Sequence, residues 1–171
     1  MMFRHLRLAG FKSFADTVEL DIEPGLTGIV GPNGCGKSNI VEALRWVMGE
    51  TSAKQMRSNE MDDVIFSGTS SKAARNLAEI SLILDNEQKK APSEYNDRNE
   101  IEIARKIIRG KGTNYRINNR PARARDVQLL FADSATGARS AGIVSQGRIG
   151  AIIGAKPDER RTLLEEEASI K

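Results

Sequence analysis

Apolar and polar positions trade places from the start of the chain. Phe3, Leu6 and Leu8 are set against Arg4, His5 and Arg7. This alternation predicts a strand over residues 3–9, and Val18, Leu20 and Ile22 predict a second over 17–22. Gly10 to Ala15 (GFKSFA) is read as their connection. Leu26 to Val30 predicts a short apolar strand running into the glycine-rich segment 31–36. From Lys37 the period lengthens to that of a helix: Ile40, Leu44 and Val47 share a face with Val41 and Met48, and Gly49 supplies a C-terminal cap. Thr51 to Arg57 is polar and loop-like, and 63–66 and 78–84 are further strand candidates. Residues 86–99 (NEQKKAPSEYNDRN) hold almost no aliphatic side chain and include Pro92, which predicts a mobile surface loop. Residues 100–109 and 114–118 flank Gly110-Lys111-Gly112 as a hairpin. Residues 124–131 read as helical, and 143–146 as a short strand ending at Gln146. Pro157 opens a last helix still running at Lys171, which leads to the expectation of a longer protein.

Composition narrows the function classes. The 171 residues, 39% hydrophobic and 29% charged, suit one globular domain with a core. No stretch reaches the roughly eighteen apolar residues of a membrane helix, and the N-terminus has no secretory pattern, so a cytoplasmic protein without a membrane partner is expected. A single Cys35 leaves no internal disulfide or zinc cluster, and a single His5 removes histidine-based metal sites and disfavours a Ser-His-Asp hydrolase. The net charge of +3 is unevenly spread. Between Arg105 and Arg125 lie eight Lys or Arg and no Asp or Glu.

One motif carries chemistry by itself. Gly31-Pro32-Asn33-Gly34-Cys35-Gly36-Lys37-Ser38 satisfies G-x-x-x-x-G-K-[ST], between an expected strand and an amphipathic helix. Its glycines let backbone N–H groups turn inward around phosphates at a helix N-terminus. Lys37 supplies a cation for the β- and γ-phosphates, and the Ser38 hydroxyl a ligand for Mg²⁺. Cys35 occupies a position that the pattern leaves free, and its reading is a small residue that fits. The motif leads to the expectation of a nucleoside triphosphate with Mg²⁺; its identity as ATP comes with the resemblance described next.

With these residues go GFKSF (10–14), GPNGCGKSN (31–39), ALRWVMGE (43–50), SAKQMR (52–57), DDVIFSG (62–68), SQGRI (145–149) and KPDERRTLLEE (156–166). Together they resemble the N-terminal ATPase lobe of structural maintenance of chromosomes (SMC) proteins in their bacterial form. The resemblance runs over residues 2–166 and implies an α/β fold. The implied fold is the N-terminal lobe of an ABC-type P-loop NTPase head, with an antiparallel β layer and a C-terminal helix, 157–171, leading towards a coiled coil. It implies that Lys12 and Ser13 lie beside the nucleotide and that Asn33 to Asn39 hold phosphates and Mg²⁺. Gln146 would contact Mg²⁺ and the attacking water, and Arg57 would approach the nucleotide. The signature and Walker B motifs of the family belong to a C-terminal lobe, and no signature motif occurs here. The implied activity is therefore chromosome-organising ATP hydrolysis by a complete head, with this chain alone nearly inactive. Implied partners are that lobe, a second head sandwiching ATP, a kleisin-type subunit and double-stranded DNA. Two alternatives stay open: a DNA-repair lobe of RecF or RecN type, and a compact P-loop enzyme using Asp85, after Leu82-Ile83-Leu84, as its Walker B carboxylate.

The basic block has two readings. Arg105, Arg109, Arg116, Arg120 and Arg123 would neutralise DNA phosphates without sequence preference, or they belong to a solvated hairpin paired with acidic groups elsewhere.

Overall fold

The computed structural model describes residues 1–132 and Arg161. Gln146, the expected strand at 143–146 and the helix after Pro157 lie outside the described residues.

The alternation along the chain becomes one antiparallel sheet. Its strands are β1 (Met2–Ala9), β2 (Val18–Asp21), β3 (Leu77–Asp85), β4 (Glu100–Ile108), β5 (Gly112–Ile117) and β6 (Arg120–Ala122), in spatial order β2-β1-β3-β4-β5-β6. The central pair shows why these residues form strands. Ala78, Ile80, Leu82 and Leu84 of β3 and Ile101, Ile103, Arg105 and Ile107 of β4 are buried, while the residues alternating with them are only partly so. With Leu82 opposite Ile103, a one-residue slip would turn both apolar rows away from the core, so the register is fixed. The predicted hairpin forms, with its turn at Arg109-Gly110-Lys111, one residue earlier than the expected 110–112, and Gly112 already pairs with Ile108.

Helix α1 (Lys37–Val47) packs on β3 and β4, and α2 (Ala124–Ala132) packs on β5. The inward face of α1 is Ile40, Ala43, Trp46 and Val47, whereas Val41 and Leu44, expected on that face, are only half-buried. Trp46 explains the rotation. It is fully buried, with its ring centroid 5.6 Å from that of Phe11, and the largest side chain takes the deepest position.

Three expectations change, and one strand was not foreseen. The strand at 26–30 does not form: Leu26 and Val30 are 101% and 94% exposed. A strand needs a neighbour for its amides, and among the described residues none pairs with this one. The strand at 63–66 is instead a 3₁₀ turn, Met61–Val64, closed by a reciprocal capping box between Glu60 and Asp63, followed by an isolated bridge from Ile65 to Phe11. The 86–99 segment is knitted around the buried Asn86 side chain. Asn86 accepts from the Ala91 amide at 2.9 Å and donates to the Arg98 carbonyl at 2.9 Å, which gives the loop an internal anchor. Finally, β6 contains Pro121, which argues against a strand except at a sheet edge, and β6 is the edge.

Candidate functional site

Helix α1 starts where the phosphate-loop motif ends. Its N-cap, Gly36, sits at φ +100° and has no side chain to make a cap bond, and the first turn contains no acidic residue. The positive end of the helix dipole therefore meets the loop with no carboxylate of its own turn to offset it. Lys37 curls back, its Nζ donating to the carbonyls of Gly31 and Pro32 at 2.6 Å each. Cys35 is exposed, its Sγ 3.9 Å from that Nζ, and Pro32, Asn33, Gly34 and Ser38 are exposed along the same loop and helix start.

The GFKSF segment belongs to this site because it folds onto Gly36. It makes a tight turn, with the Phe14 amide bonded to the Phe11 carbonyl at 2.8 Å. A Cβ on Gly36 would fall 2.6 Å from Ser13 Oγ and 2.9 Å from Phe14 Cζ. Glycine is needed there for the approach of the second segment as well as for its backbone angle. Asn39 continues the contact, its Nδ2 donating to Ser13 Oγ at 2.9 Å. The DDVIFSG segment holds the turn from the other side. The Lys12 amide donates to the Val64 carbonyl (2.7 Å) and the Phe66 amide to the Gly10 carbonyl (2.8 Å).

Four of the residues expected at the nucleotide, Lys12, Ser13, Asn39 and Arg57, line one cavity of about 490 Å³, together with Lys54 and Asp63. Arg57 reaches it from the turn Lys54–Met56, its Nη2 donating to Asn39 Oδ1 at 3.3 Å. Sequence reasoning missed Glu42. It is buried on α1, its carboxylate paired with both Lys12 and Arg57. The signal was faint: a helical Glu between Val41 and Ala43 reads as a solvated residue, and only its spacing of four from Ser38 places it on the loop's side of the helix. Gln146 lies outside the described residues.

Asp85 is not at this site. Strand β3 runs antiparallel to both neighbours, and Asp85 pairs with Met2, whereas the GFKSF turn follows Ala9 at the other end of β1. Seven residue steps of strand separate those ends, about 23 Å. Its Oδ1 instead accepts from the Glu87 amide at 2.7 Å.

The basic block splits in two. Arg105 is only 1% exposed, so its expected contact with DNA is corrected: it is a core residue. Its guanidinium lies between the rings of Trp46 (4.2 Å) and Tyr115 (4.6 Å) and donates to the carbonyls of Trp46 (2.7 Å) and Glu50 (2.6 Å). Strand parity decides this, since Arg105 occupies an inward position of β4. Burial pulls its pKa down to about 10, which leaves it cationic at neutral pH. Burial likewise pushes the Tyr115 phenol up to about 12. Arg109, Lys111, Arg116, Arg120, Arg123 and Arg125 are exposed. Among the described residues none of these six forms an ion pair.

The profile described as the RecF/RecN/SMC N terminal domain matches residues 2–139. The chain is 58% identical over 170 residues to the chromosome partition protein Smc of Rhodopseudomonas palustris, covering 99% of this chain and 15% of that protein. It is 41% identical over 170 residues to the chromosome partition protein Smc of Bacillus subtilis, covering 99% and 14%. The chain thus spans about one-seventh of the length of the curated relatives it matches. One solved structure, from work on ATP-driven dimerization and DNA stimulated activation of SMC ATPases, superposes with a TM-score of 0.86 at 33% identity. It covers 97% of this chain and 99% of that one. An SMC head bound to the C-winged helix domain of ScpA superposes with a TM-score of 0.87 at 33% identity, covering 97% and 51%. A sheet layer of this topology, a phosphate loop opening α1 and these likenesses converge on one assignment: the chain belongs to the RecF/RecN/SMC N-terminal domain family, as the N-terminal lobe of an SMC-type ATPase head.

Proposed function

We propose that this chain is the ATP-binding half of a chromosome-organising ATPase, completed by a C-terminal lobe. The observation that carries the reading is that Lys12, Ser13, Asn39 and Arg57 line one cavity at the end of α1 where the phosphate loop begins the helix, with Gly36 of that loop seated on Ser13 and Phe14. The residues fit a magnesium nucleotide. Lys12 and Arg57 bring cations to the cavity beside the positive end of α1, and the Lys37 ammonium, now bonded to neutral carbonyls, would exchange them for phosphate oxygens. Lys37 would hold the β- and γ-phosphates, Ser38 the metal, and Asn33 to Asn39 the rest of the phosphate chain. When bound, the magnesium nucleotide supplies the phosphoryl group to be transferred. Gln146 is assigned to the metal and water by its family motif.

The exposed Leu26 and Val30 support the need for a second lobe. A phosphate-loop strand belongs inside a sheet, and the partner strands would come from the C-terminal lobe along with the Walker B and signature motifs. A second head, a kleisin-type subunit such as the ScpA domain in the matched structure, and DNA are the further partners proposed. The six exposed cations offer DNA a sequence-independent surface. Among the described residues no helix is long and apolar enough to cross a membrane, and a cytoplasmic, chromosome-associated setting is part of the same proposal.

A phosphate-release assay tests it. The chain alone binds ATP but turns it over negligibly, and adding the C-terminal lobe restores turnover, with Lys37→Ala as the contamination control. Robust turnover by the chain alone, abolished by Asp85→Asn, would overturn the half-site reading.

A further inference from the structure

Glu42 lies one helical turn beyond Ser38, on the helix that carries the phosphate-loop lysine and serine. It is 6% exposed, and each carboxylate oxygen has its own cation: Oε2 the Lys12 ammonium, Oε1 the Arg57 Nε. Buried carboxylates persist when paired in this way, and removing one partner leaves the others uncompensated. The Lys12 ammonium also bonds the Met56 carbonyl, so it ties the GFKSF turn to the residue just before Arg57. Both cations sit in left-handed backbone, φ +47° for Lys12 and +52° for Arg57, a conformation that non-glycine residues keep where their surroundings impose it.

The mode of grip matters. A guanidinium has five N–H donors in a fixed plane, and Glu42 engages the Nε edge. The Nη fork stays at the cavity, where Nη2 touches Asn39, the residue after Ser38. The Arg57 side chain is half-exposed while the carboxylate holding it is buried. An exposed fork on a buried anchor is a preset cation.

We infer that Glu42 is a positioning residue of the nucleotide site. From α1 it fixes Lys12 and Arg57, so that an arriving triphosphate meets a guanidinium whose orientation is already set. This rests on the ATP-binding reading. It gives α1 two tasks: its first turn faces the phosphates, and its second turn anchors the cations that flank them. With glutamine at position 42 the two cations lose the charge between them, and Arg57 regains its rotamer freedom.

Two measurements on the chain test this. The first needs no nucleotide: the Arg57 Nε–H signal is followed by ¹H–¹⁵N NMR. In the wild-type chain it exchanges slowly with solvent, and in Glu42→Gln it exchanges as a free arginine does. A wild-type signal that already exchanges freely would overturn the clamp, whether or not any variant folds. The second is ATP titration calorimetry. Glu42→Gln weakens ATP by about tenfold, Arg57→Ala by a similar factor, and the double variant is little worse than Arg57→Ala alone. Glu42→Asp, which keeps the charge, recovers most of the loss. Fully additive effects, or an Asp variant as weak as the Gln variant, would return Glu42 to a purely structural role. Wild-type chain that binds no ATP would overturn the nucleotide reading and the positioning role with it, and a protected Nε–H in that protein would show that the clamp geometry itself was sound.

Discussion

The antiparallel sheet and the segment leading into the phosphate loop are built from equally apolar residues and meet opposite fates. In β3 and β4 every residue has a cross-strand partner in the register, and the inward side chains are buried. In residues 26–30 Leu, Ile and Val are present, yet Leu26 and Val30 face solvent completely. Hydrophobicity is common to both, so it does not account for the difference. What separates them is a partner among the described residues. The sheet's strands supply one another, and residues 26–30 pair with none of the described strands.

That contrast breaks if the sheet proves dispensable. Trp46→Ala, which empties the centre of the α1–sheet contact and unseats Arg105, is expected to cost about 3–5 kcal/mol of stability, read by urea unfolding. The loop, by contrast, should carry binding with little effect on stability. Lys37→Ala is expected to lose about 2–5 kcal/mol of ATP affinity by calorimetry, while its unfolding midpoint stays close to that of the wild-type chain. A large fall in that midpoint would show the loop to be part of the core. On the outer side of the sheet, Arg116→Glu, Arg120→Glu and Arg123→Glu combined should weaken DNA binding and flatten its salt dependence by about 0.9 per lost phosphate contact. Fluorescence anisotropy across a salt series reads this, and an unchanged slope would return the hairpin to ordinary solvated surface. The smallest effect sharpens the comparison most. Val30→Ala should change the stability of the chain by no more than about 0.5 kcal/mol, as at any exposed position. A loss well above that would mean residues 26–30 are already packed, and the same substitution in the complete head should cost more.

Legibility in the sequence follows the same division. Strands β1 to β5, the hairpin turn and α1 could be read because their pattern is enforced by burial within the described residues. The phosphate loop could be read because its motif is local. The strand at 26–30 was legible as apolar sequence but not as unpaired, since pairing depends on other parts of a fold. Arg105 was counted with the surface cations because charge was weighed before strand parity, although Ile103 and Ile107 on either side already mark it as an inward position. Glu42 stayed hidden for a related reason. A buried carboxylate is recognised by the cations that surround it, and Lys12 and Arg57 come from segments 30 and 15 residues away in sequence.

The inward Arg105 has a mechanical consequence. Helix α1, eleven residues and about 16 Å long, is pinned at its far end by a guanidinium bonded to the carbonyls of Trp46 in its last turn and Glu50 just beyond it, and wedged between Trp46 and a tyrosine of β5. At its near end it is seated on the GFKSF turn. Such a helix is a strut with a fastening at each end. A tilt of that strut would work directly against the Arg105 contacts that join it to β4 and β5, the hairpin whose turn and outer face carry Arg109, Lys111 and Arg116.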